Sequence, residues 1–244
     1  ARGKPQRVCP GLIDRITAIR GIEGVEGYDP LEWNSSEGFP FVAMRPTGAK
    51  NKKWLFEFDE LNRPYKIHPM LERTMDRKWS LRCNNIVPET VFTDCLKDCT
   101  VAKEKVLQPG KTRIFSISPV DFTIQQRQCT LDFTVAYMAC RRDLEHMIGI
   151  NPDSMEWSRL ARDLIEVGDD VLTGDYSKFG DTIPPIFIHN IFQIIIKWYK
   201  RYGEISPEHQ QNLEIMAHEI GNSTHLMFNF IYKGRMWPTL WVIV

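Results

Sequence analysis

Residues 173–181, Thr-Gly-Asp-Tyr-Ser-Lys-Phe-Gly-Asp, constrain the fold more than any other stretch of this chain. They follow residues 170–172, which have strand character, and they precede residues 183–185, where a long apolar helix is predicted to begin. An aspartate at the end of a buried strand is a rigid support for a divalent metal. The same letters are also typical of ordinary caps, with Asp175 capping a turn and Asp181 capping the helix. Local spacing leaves both interpretations open.

Length, charge and cysteine content narrow the class of protein. The 244 residues suffice for one large or two modest domains with a packed core. Lys plus Arg equals Asp plus Glu at 31 each, so any nucleic-acid site must be a local patch. The six cysteines form no CxxC pair and no zinc-type cluster, and we interpret them as reduced thiols of an intracellular protein. There is no signal peptide and no apolar run of the roughly 18 residues that a membrane span needs, and the start at Ala1 in place of Met indicates a piece of a longer polypeptide.

A short polar loop is predicted at residues 34–40, Asn-Ser-Ser-Glu-Gly-Phe-Pro. Gly38 would let the backbone approach a ligand closely, and Ser35 and Ser36 offer hydrogen bonds to phosphate or sugar oxygens. Most loops of this composition are only turns, and that alternative stays open.

A second informative stretch runs from residue 96 to residue 116. Pro-Gly at 109–110 is a strong turn signal between two strand-like runs, which predicts a hairpin. Its arms carry four cations: Lys103, Lys105, Lys111 and Arg113. Arginine can fork onto phosphate oxygens and lysine supplies a point charge, so this ribbon suits a triphosphate. A solvated charged hairpin explains the pattern equally well.

Periodicity and capping signals predict the remaining elements. Helices are expected at 12–22, 70–82, 118–142, 154–167, 184–202 and 207–220. Strands are expected at 54–58 and 225–232. Ser206 is predicted to cap the last helix, and His209, His218 and Glu219 are interpreted as surface or packing residues in the absence of a supporting metal cluster.

Three of these stretches resemble, in order, motifs of the RNA-dependent RNA polymerases of picorna-like viruses, most closely the iflavirus and dicistrovirus groups. Residues 34–40 resemble motif G, which guides the template in that family. Residues 96–113 resemble motif F, whose basic residues hold the incoming triphosphate, and residues 174–180 resemble motif A, whose first aspartate binds magnesium. Three spaced motifs are far more specific than one. The Gly-Asp-Asp at 168–170 is not the family's metal signature, because it lies upstream of Asp175 at a helix-to-strand junction.

The resemblance implies a mixed α/β (α+β) chain of the right-hand polymerase fold. Residues 1–170 would form the fingers, and residues 171–244 the N-terminal part of the palm, whose antiparallel sheet the Asp175 strand would begin. The implied activity is nucleotidyl transfer by an RNA-directed RNA polymerase with Mg²⁺ or Mn²⁺. The implied partners are an RNA template and primer, nucleoside triphosphates and other viral replication proteins, in the cytoplasm of a host cell.

The resemblance also implies roles for individual residues. Asp175 would be the catalytic metal ligand, and Asp181 would recognise the ribose, although the family position for that aspartate is occupied here by Gly180. The residues implied to bind the nucleotide are Arg113, Lys111, Lys105 and Lys103, and those implied to contact RNA are Ser35, Ser36, Gly38 and Lys97. Arg113 is expected to face Asp175 across a shared cleft.

Two further interpretations of the chain stay open. In the family the strand equivalent to 229–232 leads into a Ser-Gly loop and an Asp-Asp pair, whereas residues 233–244 contain neither, so we expect an incomplete fragment that does not polymerise RNA alone. The alternative is a non-catalytic viral-derived remnant with at most weak RNA or nucleotide binding. An unrelated α/β nucleotide-binding protein is disfavoured, because no Walker-type or Rossmann glycine pattern is present.

Overall fold

Residues 6–98, 100, 102–106, 113–176 and 183–234 are described by a computed structural model of the chain. The helices are α1 (Arg15–Arg20), α2 (Pro69–Cys83), α3 (Lys103–Val106), α4 (Val120–Ala139), α5 (Glu156–Val167), α6 (Pro185–Tyr202) and α7 (Pro207–Gly221). The strands are β1 (Phe56–Phe58), β2 (Pro64–Ile67), β3 (Val91–Leu96), β4 (Ile114–Ile117), β5 (Thr224–Met227) and β6 (Phe230–Lys233). Short 3₁₀ turns cover Phe41–Met44 and Lys52–Leu55.

The predicted long helices are confirmed because local signals define them: α4, α5 and α6 are shorter than predicted, and α2 and α7 extend one residue or so beyond the predicted ends. Ser206 caps α7 as expected, its hydroxyl accepting from the backbone N–H of His209 at 3.1 Å. Pro119 immediately precedes α4, where its fixed φ and missing N–H are tolerated. Amphipathic α5 also forms, but none of its residues is buried. No helix in the described ranges is long and apolar enough to cross a membrane.

Helix α4 contributes to both apolar clusters of the fold. The first cluster joins α4 through Ile124 and Val135 to α1, α2 and the β1–β2 hairpin. The second joins α4 through Phe122 and Ala136 to α6, α7 and Phe92 of β3. Helix α4 is buried around most of its circumference, through polar as well as apolar side chains, which places it at the centre of the fold.

A four-stranded sheet lies against the second cluster, with strand order β4-β3-β5-β6. Strand β3 pairs antiparallel with β4 and parallel with β5, and β5 pairs antiparallel with β6. Register aligns Phe92 with His225 and His225 with Tyr232, so these three side chains share a face. The Phe92 ring meets the Phe122 ring of α4 edge-on at 5.6 Å, which joins this face to the core.

Three sequence expectations for strands are wrong. Residues 168–176 form neither helix nor strand. Leu172 is fully exposed and Val171 is 72% exposed, and no described strand pairs with the stretch that leads to Asp175. Lys103 and Lys105 lie on α3 and not on a hairpin arm. Lysine and glutamate have good helix propensity, and no described strand pairs with residues 103–106 to hold them extended. The single strand expected at 225–232 is a hairpin of β5 and β6 that turns at Phe228 and Asn229.

Several of the described cysteines are thiols, as expected. Cys9, Cys83, Cys95 and Cys129 form no disulfide within the described part of the chain, and Cys99 lies outside it. Cys129 is fully buried, and this burial raises the pKa of its thiol to about 12.

Candidate functional site

Lys97 and Arg113 form a cationic pair at the open end of the β3–β4 ladder. The register that matches Leu96 with Ile114 continues by one residue, and the Lys97 N–H donates to the Arg113 carbonyl at 2.8 Å. Both residues are exposed, and neither forms an ion pair with a carboxylate of the described residues. Opposed residues of an antiparallel pair have Cβ atoms about 4.5–5.5 Å apart, and like charges there repel. An anion bound between the two side chains would relieve that repulsion.

The other predicted cations of this stretch are less defined. Lys103 is exposed on α3. The side chain of Lys105 and the whole of Lys111 lie outside the described residues. Of the predicted cations that the structure describes, Lys97 and Arg113 are the two that lie opposite one another across a ladder.

Below the cationic pair, the Asp94 carboxylate is the centre of a buried polar cluster. Ser116 donates to Asp94 Oδ1 at 2.5 Å, His225 Nδ1 donates to the same oxygen at 3.0 Å, and the Tyr232 hydroxyl donates to Oδ2. Burial alone would raise the pKa of Asp94, but the hydrogen bonds from His225, Ser116 and Tyr232 outweigh it and hold that pKa below its ordinary value. We call Asp94, Ser116, His225 and Tyr232 the Asp94 cluster.

The Asp94 cluster has the connectivity of a hydrolase triad without its accessibility. Ser223 Oγ lies 2.7 Å from His225 Nε2, so the chain Ser223–His225–Asp94 resembles nucleophile, base and orienting acid. Ser223 is 1% exposed and His225 is fully buried. A buried hydroxyl cannot reach a substrate, and the cluster therefore has a structural role.

The loop at 34–40 is held rigidly against the start of α4. Glu37 is fully buried and accepts two hydrogen bonds from Arg45, at 2.7 and 2.5 Å, and one from Trp54 Nε1 at 2.9 Å. Its carbonyl accepts from the Val120 N–H at 2.8 Å. At Gly38, φ is +71° and an added Cβ would lie 2.8 Å from the Pro119 Cα. Glycine is therefore required at this position for both conformation and space.

The two serines of this loop are bonded within the protein in different ways. The Ser35 hydroxyl donates to the Glu32 carbonyl at 3.0 Å and accepts from Lys52 Nζ at 2.7 Å. Ser36 Oγ accepts from the Gly38 N–H at 3.2 Å, and its own proton has no acceptor within the described part of the chain. Ser36 therefore keeps a free donor, whereas the proton of Ser35 is already used.

Asp175 lies on the exposed stretch 168–176. Its carboxylate makes no hydrogen bond or ion pair with any described residue, Arg113 included. Carboxylate oxygen is the donor that Mg²⁺ prefers, but the described ranges contain no group of three His, Cys, Asp or Glu that could hold a metal. The described residues thus supply one candidate ligand and not a complete metal site, and Asp181 lies outside them.

Sequence reasoning missed the buried charges that organise this region. Arg82 and Glu219 form a fully buried ion pair between α2 and α7, and Asp94 sits in the otherwise apolar strand β3. A lone carboxylate within an apolar run was the signal that could have identified Asp94, because such a group needs donors from elsewhere. His209 is a packing residue as predicted, its Nε2 lying 2.9 Å from the Cys129 carbonyl.

Comparison with known proteins assigns the chain to a family. Residues 4–235 match the family model described as viral RNA-dependent RNA polymerase. The chain is 40% identical to part of the genome polyprotein of Deformed wing virus over 222 residues, 88% of this chain and 8% of the polyprotein. It is 34% identical to part of the genome polyprotein of Rice tungro spherical virus (strain A) over 200 residues, 80% of this chain and 6% of the polyprotein.

A solved structure agrees in fold. The Sicinivirus 3Dpol RNA-dependent RNA polymerase superposes with a TM-score of 0.73 at 20% identity, over 94% of this chain and 44% of that one. This likeness supports the mixed α/β, right-hand polymerase fold expected from the motifs. The chain spans under half of that polymerase and less than a tenth of the two viral polyproteins. Because the family model covers nearly its whole length, the chain belongs to the viral RNA-dependent RNA polymerase family.

Proposed function

We propose that this chain forms the fingers and the beginning of the palm of an RNA-directed RNA polymerase that transfers nucleotides during viral RNA replication. Residues 1–170 would be the fingers and residues 171–244 the start of the palm. The sheet β4-β3-β5-β6 takes strands from both segments, so the two parts would meet through a continuous ladder. The observation that carries the proposal is the cationic pair, Lys97 and Arg113, which are opposed across β3 and β4 and have no neutralising carboxylate among the described residues.

The cationic pair is suited to the phosphates of an incoming nucleotide or of RNA. The Arg113 guanidinium offers a planar fork for phosphate oxygens, and Lys97 adds a compact charge beside it. In this proposal Lys97 contacts RNA, while Lys103, Lys105 and Lys111 add to the triphosphate site. The chain carries no net charge, so this local concentration of cations is what would attract an anion.

The rigid loop at 34–40 supports a role in guiding the template. Of the three loop residues proposed to contact RNA, Ser36 has the free hydroxyl proton, and we assign to it the donation to a phosphate oxygen. Ser35 would act by holding the adjacent Lys52, since its hydroxyl accepts a hydrogen bond from the Lys52 ammonium. Gly38 would keep the backbone close to the start of α4 and the loop surface open.

We propose Asp175 as the ligand through which this chain would hold Mg²⁺ or Mn²⁺. When bound, the metal supplies charge neutralisation of the phosphoryl group in transfer. The role of Asp175 is to present a carboxylate that is free of competing partners in the described structure. Asp181 is proposed to recognise the ribose. The partners would be RNA template and primer, nucleoside triphosphates and other viral replication proteins, in the host cytoplasm.

Triphosphate binding tests whether the cationic pair, Lys97 and Arg113, binds phosphate. Fluorescent ATP would be titrated against the wild-type chain, a Lys97→Gln/Arg113→Gln variant, and a Lys200→Gln/Arg201→Gln control that removes two exposed charges from the end of α6. Charge-assisted hydrogen bonds contribute about 1.5–3 kcal/mol each, so the first variant should lose at least about tenfold in affinity. The control should bind as the wild type does. Equal losses in both variants, or no binding by the wild type, would contradict the proposal and favour a non-catalytic remnant.

Primer extension tests whether the isolated chain catalyses the reaction. We expect no extension of a primed RNA with Mg²⁺ above that of an Asp175→Ala control, because the described residues bring no group of three metal-binding side chains together around Asp175. Extension by the wild type and not by Asp175→Ala would show that the chain is a complete catalyst.

A further inference from the structure

The Asp94 cluster lies on the same β3–β4 ladder as the cationic pair, three residues along each strand. Asp94 precedes Lys97 by three residues on β3, and Ser116 follows Arg113 by three residues on β4. The ladder matches Asp94 with Ser116, and the Ser116 hydroxyl donates to the Asp94 carboxylate at 2.5 Å. The base of the cationic pair is therefore tied across the ladder by side chains as well as backbone.

One carboxylate connects all four strands of the sheet. Ser116 is on β4, Asp94 on β3, His225 on β5 and Tyr232 on β6, and the last three residues are joined although β6 does not pair with β3. Both carboxylate oxygens are occupied, Oδ1 by Ser116 and His225 and Oδ2 by Tyr232. The three donating side chains and the accepting carboxylate consequently fix one relative arrangement of the strands.

Aromatic packing fixes the same arrangement. The Tyr232 ring stacks on His225 at 5.3 Å with an interplanar angle of 19°, and Phe92 lies on His225 at 5.8 Å. Phe92 in turn meets Phe122 of α4. The side chains that border the cluster therefore anchor the sheet to the central helix α4.

The backbone ladder alone is short. Strands β3 and β4 share four matched pairs, from Thr93–Ile117 to Leu96–Ile114, and β4 is an edge strand. The end of so short an edge pairing frays unless tertiary contacts support it. The cationic pair also adds repulsion at that end.

We propose that Asp94, with Ser116, His225 and Tyr232, is the positioning group that holds Lys97 and Arg113 opposite one another for anion binding. This inference rests on the proposed function, because it assigns the cluster to the phosphate site. Asp94 touches neither nucleotide nor RNA. It acts through the backbone ladder of β3 and β4. Loss of its hydrogen bonds should loosen the pairing of Lys97 with Arg113 more than it affects the packing of the core.

The test compares two tyrosines that each donate to a buried carboxylate. Tyr232→Phe removes the hydroxyl from Asp94, and Tyr28→Phe removes the hydroxyl that donates to Asp132 of α4 at 2.6 Å, in the first apolar cluster. Ser116→Ala is a second variant that removes a different donor to Asp94. All three substitutions delete a single hydroxyl and keep the rest of the side chain.

Amide hydrogen exchange of Lys97 is the first readout, because its N–H bonds to the Arg113 carbonyl. Losing a hydrogen bond to a charged group is worth roughly tenfold in an equilibrium, so Tyr232→Phe and Ser116→Ala should each accelerate Lys97 exchange by about tenfold. Tyr28→Phe should leave it unchanged. Unchanged exchange in both cluster variants, or equal acceleration in Tyr28→Phe, would overturn the inference.

ATP affinity is the second readout. It should fall about threefold or more in Tyr232→Phe and Ser116→Ala and stay constant in Tyr28→Phe. If the wild type binds no ATP while Lys97 exchange still responds, the proposed function fails and the role of the cluster in anion binding fails with it, and the exchange result then shows only that the cluster holds the ladder. If ATP binds equally well in all variants while exchange responds, the cluster holds the ladder but does not position the phosphate site, and the inference is refuted.

Discussion

Replacing Arg82 by methionine should destabilise the chain strongly, because Arg82 neutralises a buried carboxylate. Arg82 is fully buried, with Nε 2.5 Å and Nη2 3.1 Å from the two oxygens of Glu219 and Nη1 2.6 Å from Gln125 Oε1. In Arg82→Met the Glu219 carboxylate would keep, among its hydrogen bonds to described residues, the one from the Thr90 hydroxyl at 2.5 Å. Removing one partner of a buried ion pair costs about 3–5 kcal/mol. Total stabilities are about 5–15 kcal/mol, so this single change would remove a large part of it.

Urea unfolding followed by tryptophan fluorescence and circular dichroism measures the effect. Arg82→Met should lower the free energy of unfolding by about 3–5 kcal/mol, and the double variant Arg82→Met/Glu219→Met should recover most of the loss because neither charge of this pair is then left buried without its partner. The control is Arg142→Met, which breaks an exposed ion pair with Asp163 whose side chains are 62% and 43% exposed. Exposed pairs contribute about 0–1 kcal/mol, and the control should change little.

Two results would refute this reasoning. One is a cost for Arg82→Met no larger than that of Arg142→Met. The other is a double variant as unstable as Arg82→Met, which would mean that packing around the guanidinium, including its contact with the Phe122 ring at 5.6 Å, matters more than the buried charge.

Three further predictions concern other parts of the fold. Burial, opposed by Glu32 and Glu37, lowers the pKa of Lys52 to about 8 from 10.5, so between these pH values the unfolded chain binds more protons than the folded chain. The free energy of unfolding should therefore rise with pH in this range, relative to Lys52→Met. The same pH dependence of the urea midpoint in both proteins would contradict this. Gly24 has φ +76° and open space around it, so Gly24→Ala should lower the free energy of unfolding by about 1–2 kcal/mol. Gly38→Ala should cost at least about 1 kcal/mol more, because the added Cβ would also clash with Pro119. Equal melting temperatures of the two variants would disprove this close approach. Ser206→Ala should cost about 1 kcal/mol by removing the cap of α7, while Ser158→Ala on exposed α5 should be neutral in the same thermal assay.

The local elements could be predicted because their causes are local. Helices α2, α4, α6 and α7 follow from apolar spacing and from proline or serine at their starts, all within a few residues of one another. The family could be identified for a similar reason, since motif letters and their order are properties of the linear chain. Asp175 as a candidate metal ligand also came from that order, and its role stays a prediction.

The strands were harder, because a strand exists only when a partner pairs with it. Val171 and Leu172 are apolar, but no described strand pairs with them, and both are exposed. Lys103 and Lys105 alternate as a strand would, yet they lie on α3. Alternation is a necessary condition for a half-buried strand and not a sufficient one.

By itself the sequence determined where the main helices lie, where they are capped and which family the chain belongs to. Only the tertiary structure decided which charges meet. Asp94 and His225 are 131 positions apart and Arg82 and Glu219 are 137 apart, and no local pattern links either pair. They come together because a buried charge is tolerated only beside donors or counter-charges, and those partners are delivered by the packing of distant strands and helices around α4.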